Sequence, residues 1–190
     1  MLNSEAGYGG LTKLLHWLIA ILFLLQYASA LIMLHTEAGM RAFGASQDFY
    51  YNWHKSLGLV VLLLVVARIL NRRAGQMPAW ASTVTPVERI IIHRAEQLLY
   101  VAMLAMPLSG LLYVLAGDYG ILLFGRFALP NPIAPSPATA AVAKWIHICT
   151  AILLLLPLGV HLGIVLGHHF GIADGLIGRM LPGGGKRRPE

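Results

Sequence analysis

The chain contains four runs of mostly apolar residues, about 14–34, 49–70, 90–116 and 145–166, two of them with polar residues at one end. Each is long enough to cross a membrane, because a core about 30 Å thick takes about 20 helical residues at about 1.5 Å each. Hydrocarbon offers no hydrogen bonds to a bare backbone, so runs of this length favour the helix. Four of them predict an all-α, four-helix transmembrane bundle in a single domain over 1–190. Composition agrees: 57% of the 190 residues are hydrophobic and only 12% are charged. The first run also contains Ala28-Ser29-Ala30, a small-residue site where a signal peptide could be cleaved. Yet the run continues through Leu34 to a full span and starts with His16 and Trp17, which a signal sequence does not need.

The linkers are short. Asn71 to Pro86 reads as a loop, and Gly117 to Ala143 carries Pro130, Pro132, Pro135 and Pro137, which exclude a regular helix and predict a folded surface loop. The net charge of +6 is spread among the linkers and not gathered on one module, which argues against nucleic acid and for membrane orientation. Lys13, Arg68, Arg72, Arg73, Arg89, Arg94, Arg179, Lys186, Arg187 and Arg188 fall on one side, against Arg41, Lys55, Arg126 and Lys144 on the other. The excess of basic residues predicts that both termini are cytoplasmic.

Eight histidines in so apolar a chain carry the chemistry, since polar groups inside a membrane are costly and usually functional. His35, His168 and His169 stand at the ends of runs and read as solvated interfacial residues. His147 and His161 lie within the fourth run, 14 residues apart. On a helix that spacing returns to within about 40° of the same face and separates the two by about 21 Å. Each needs a partner at its own depth. His16, at the inner start of the first run, suits His161; His54, near the outer start of the second, suits His147. His35 has the outer depth but is turned about 100° from the His16 face, which makes it the weaker candidate.

Paired imidazoles suit haem iron, which takes axial histidines, whereas zinc normally needs four ligands at one point. The single Cys149 excludes a CxxCH attachment, so any haem is held non-covalently. One turn toward the membrane centre from His16, His54 and His147 stand Ala20, Gly58 and Ala151, small enough to leave room for a flat macrocycle but also common at any packed membrane helix interface. Pro157, one turn before His161, fits the same picture or only kinks the helix. Arg68 follows His54 by 14 residues and faces the same way; its charge either meets a haem propionate or snorkels to lipid headgroups. Lys55 and Lys144 flank the outer pair, where they either steer an anion or anchor helix ends. His93, Arg94 and Glu96 line a quinone pocket or, more simply, anchor the third helix.

These residues resemble the bacterial cytochrome b561 family. The resemblance rests on Leu15-His16-Trp17, Trp53-His54, the Arg68 to Arg72 end of the second run, Trp145 to His147, His161 and His168-His169, and it extends from about Gly7 to Pro182. It implies a bacterial inner-membrane protein with two b haems on His16, His54, His147 and His161, linked to quinone. Some members of the family oxidise superoxide at the outer face and reduce ubiquinone; others are haem-bearing subunits that exchange electrons with hydrogenases or other dehydrogenases. Three functions are therefore open: an oxidoreductase between an outer donor, superoxide or a redox protein, and quinone; an electron-transfer subunit of a larger complex; and a non-redox transporter whose histidines carry metal or protons. The transporter would be favoured by acidic residues in the spans, where only Glu96 stands.

Overall fold

The computed structural model describes residues 2–5 and 7–183 and has four long helices: α1 Gly10–His35, α2 Gln47–Ala74, α3 Pro86–Ala116 and α4 Pro137–Gly167. All four are long and apolar enough to cross a membrane. Their starts are written in the local sequence. The Ser46 hydroxyl accepts from Phe49 N–H at the head of α2, and Ser136 accepts from Thr139 N–H at the head of α4. At α3, Thr85 and Glu88 form a capping box, with Pro86 in the first turn where its missing N–H costs nothing.

The largest departure from the expected boundaries is at α4. α4 begins at Pro137 and not at Trp145. The last of the four prolines sits in the first helical turn, so it starts the helix that the others exclude, and Ala138 to Ala143 are helical. The rest of that linker holds an antiparallel hairpin, β3 Ile121–Leu123 with β4 Phe127–Leu129. A smaller hairpin, β1 Arg41–Ala42 with β2 Ala45–Ser46, joins α1 to α2. Its turn, Phe43-Gly44, has positive φ at both residues (50° and 81°), the hairpin turn in which glycine carries no steric cost.

α1 packs on α2, α3 on α4, and α2 on α3. The core is Ile19, Phe23, Val61, Val65, Met106 and Leu154, drawn from all four helices. On α1 the buried Leu15, Ile19, Phe23 and Gln26 recur every three or four residues and form one stripe. Opposite faces are apolar and open: Leu24, Leu63 and Leu156 are each about 70% exposed, as side chains facing lipid should be. The backbone of α4 lies closer to α3 than to α1 and α2, which it meets through side chains such as Leu154 in the core and Tyr27, whose hydroxyl donates to Ala151 O.

After α4 the chain makes a π-helical turn, His168–Ile172, then a short 3-10 helix, Leu176–Met180, that closes the N-terminal end of the bundle. Trp17 donates to Met180 O (2.9 Å), Lys13 to Leu181 O (3.1 Å) and Arg179 to Ala79 O (2.6 Å). Lys13, Arg68, Arg72, Arg73, Arg89, Arg94 and Arg179 belong to this end, and Arg41, Lys55, Arg126 and Lys144 to the other. Lys186, Arg187 and Arg188 lie outside the described residues.

Candidate functional site

Two histidines of α4 each meet a histidine of another helix. His16 of α1 faces His161 with ring centres 6.1 Å apart, and His54 of α2 faces His147 with ring centres 6.3 Å apart. Two imidazoles that each hold a nitrogen about 2 Å from one metal ion, on opposite sides of it, have centres about 6.2 Å apart, once about 1.1 Å from nitrogen to ring centre is added on each side. Both ring-centre distances are of the size that one shared ion would require. Among the described residues no group of three or more His, Cys, Asp or Glu gathers at one point, so neither pair belongs to a protein-built metal cage.

The His54–His147 pair opens on a cavity of about 610 Å³, within the range that holds an organic cofactor. Gly58 and Ala151 line it, and so does Gly110 of α3, which the sequence did not single out. A Cβ on Gly110 would lie 2.9 Å from Cε1 and Nδ1 of His147, so the ring occupies space that only glycine leaves. A Cβ on Gly58 would press on the Gln26 amide at 3.2 Å. Ala20 is exposed.

The hydrogen bonds of this pair set the ring tautomers. His147 Nδ1 is 2.7 Å from Met106 O, and since a carbonyl only accepts, Nδ1–H is the donor. His54 Nδ1 is 3.0 Å from Ser29 Oγ, and that hydroxyl is 2.9 Å from Gln26 O. Both bonds form together only if the hydroxyl proton goes to Gln26 and His54 Nδ1–H donates. In each ring Nε2 is then the unprotonated nitrogen, the one able to bind a metal. Around the mouth, Lys55 donates to Tyr119 O (3.2 Å) and Gly120 O (2.8 Å), while Asp48 lines the cavity beside it. Lys144 is exposed.

The His16–His161 pair has another setting. Arg68 donates to Thr12 O (3.2 Å) and places its second amine 3.4 Å from His16 Nδ1. Asn71 donates to Thr12 Oγ1, which in turn donates to Asn3 Oδ1, both at 2.7 Å. Arg72 forms an ion pair with Glu96, and both Arg68 and Arg72 lie over the Tyr100 ring. Just before α1, burial and then Glu96 push the Tyr8 phenol up. His93 and Arg94 both contact Gln97 on the exposed face of α3.

His35 is exposed against Leu31 O, and His169 is exposed against Phe170. His168 is not the solvated residue its position implies. It is 2% exposed, with Nδ1 at 2.7 Å from Asp174 and Nε2 at 3.3 Å from Glu88. Thr83 also donates to Asp174. Burial alone would raise the Asp174 carboxyl, but hydrogen bonds from Thr83, His168 and the Leu176 backbone outweigh it and hold the group at about 2. The cluster ties the start of α3 to the segment after α4.

A family model described as prokaryotic cytochrome b561 matches residues 7–183. The chain is similar to cytochrome b561 homolog 2 of Escherichia coli strain K12, at 27% identity over 94% of this chain and 93% of that protein. It is also similar to the probable superoxide oxidase CybB of Yersinia pestis, at 23% identity over 88% of this chain and 92% of that one.

Proposed function

This chain belongs to the prokaryotic cytochrome b561 family, and from that premise we propose that it carries electrons from a one-electron donor at its outer face to quinone in the bacterial inner membrane. The family consists of multi-pass membrane electron-transfer proteins that bind haem b, generally two. The transporter reading loses its ground there. The observation that carries the proposal is that each of the two histidines on α4 has an imidazole of another helix beside it, with ring centres 6.1 and 6.3 Å apart. His16 with His161, and His54 with His147, would hold one haem each, which supplies reversible one-electron exchange at its iron.

The remaining work falls to the chain. His147 and His161 set the two sites about 21 Å apart along one helix. Arg68 only donates, so it has no bond to make with His16 once Nδ1 carries a proton, and a cofactor carboxylate gives it a partner. The basic excess at the N-terminal end supports a cytoplasmic placement of that end. Labelling Ser136→Cys in a Cys149→Ser background should then succeed only from the outer side of sealed cells. Labelling from the cytoplasmic side alone would reverse the orientation and exchange the two sites' names.

The name of the Yersinia relative supports superoxide as the donor. Lys55 and Lys144 offer positive charge beside the outer pair, though Asp48 offsets part of it. The test adds a superoxide source to sealed, right-side-out vesicles and follows haem reduction, then quinone reduction, as salt rises. A fast reaction that slows with salt, and slows by about 3-fold or more in Lys144→Glu with both haems retained, is expected. Lys55→Glu should slow it too, but that change also releases the loop held at Tyr119 and Gly120. Haem that stays oxidised under superoxide would end this reading and favour the subunit reading, in which a redox protein docks at the outer site.

A further inference from the structure

The two histidine pairs differ in what their outer ring nitrogens meet, and the difference has an electrical consequence. At the outer site both rings donate Nδ1–H, His147 to a carbonyl and His54 to the Ser29 hydroxyl, whose own proton is used on Gln26. At the inner site the group beside His16 Nδ1 is the Arg68 guanidinium, a cation with no acceptor, and among the described residues His161 makes no hydrogen bond, with the Glu96 carboxylate and Arg68 as the charges that act on it. A histidine that donates its second N–H is the more basic ligand and favours the oxidised metal. At the other site Arg68 favours the added electron, while Glu96, paired with Arg72, opposes it, so the hydrogen bonds at the outer site carry the difference.

We propose that Ser29 is a positioning residue for His54, and that its hydrogen bond, with that of Met106, makes the outer site the lower in potential of the two. Electrons entering at the outer face then run downhill to the inner site. The inference rests on the ligand pairs proposed above, and it concerns Ser29, which does not line the cavity. Its sequence position, between two alanines in a lipid-spanning helix, gives no sign of this role. The pairing of α1 with α2 brings it to His54.

The experiment is a potentiometric titration of the purified, haem-loaded full chain, with the haem-to-protein ratio measured on the same samples. Ser29→Ala should keep both haems, shift the lower midpoint upward and leave the higher one in place. Ser29→Thr, which retains the hydroxyl, should restore it. Arg68→Gln should move the higher midpoint downward. An Ser29→Ala variant with both haems and neither midpoint moved, or with only the higher midpoint moved, overturns the proposal. If Ser29→Ala loses the outer haem, Ser29→Thr must retain it for the positioning role to stand; loss in both overturns it. A wild-type ratio of one haem, or a His54→Ala protein that keeps two, would instead overturn the ligand assignment.

Discussion

His54→Ala and His147→Ala are each expected to halve the haem-to-protein ratio, and His16→Ala and His161→Ala to halve it by removing the other haem. In the proposed assignment each site takes one ligand from α4 and one from α1 or α2, with ring centres 6.1 and 6.3 Å apart, so either loss would leave a single imidazole. The sites stand about 21 Å apart along α4 and share no ligand, so losses at one should leave the other nearly unchanged. Reduced-minus-oxidised spectra should then fall into two classes. His54 and His147 variants share one residual spectrum, while His16 and His161 variants share the other. His35→Ala and His93→Ala should keep both haems, since the first ring bonds Leu31 O and the second Gln97, both on exposed faces. If His93→Ala removes a haem and His16→Ala does not, the inner pairing is wrong.

That these rings come side by side was legible in sequence because a membrane helix turns residue number into depth and direction. Fourteen residues between His147 and His161 mean one face and two depths wherever the helix goes, and the other apolar runs then limit the partners. What the sequence withheld depends on contacts between helices. His168 reads as an interfacial histidine until the π-helical turn and the following segment bring Asp174 to it, and α3 brings Glu88. Ser29 reads as one of three small residues suited to a cleavage site, yet α1 runs unbroken through Ala28 to Ala30 and presents that hydroxyl to His54. The start of α4 was missed for a local reason. A proline that ends a loop and a proline that opens a helix look alike until Ser136 is seen accepting from Thr139 N–H.

Gly110 is the plainest case of a residue that only the fold reveals, and its replacement should remove the outer haem while leaving every ligand in the chain. Glycine in a spanning helix is common at any close helix contact, so its place in α3 carries no message by itself. The contact does. An added Cβ would lie 2.9 Å from two atoms of the His147 ring, too close for carbon, so ring or helix must give way. The ring is also tied through Nδ1–H to Met106 O, one turn earlier on the same helix, at 2.7 Å. Turning it away from a new methyl group breaks that bond and its alignment with His54. Overpacking of this kind costs about 1–3 kcal/mol, which corresponds to about 5- to 150-fold weaker haem binding at that site. Gly110→Ala should therefore show a partly filled outer site that fills when excess haem is supplied. Gly110→Leu should show an empty one, with the inner haem as the internal control for folding. Equal haem content and unchanged outer-haem affinity in both variants would mean that the ring has room to move. The close approach of α3 to His147 would then have no part in holding the cofactor.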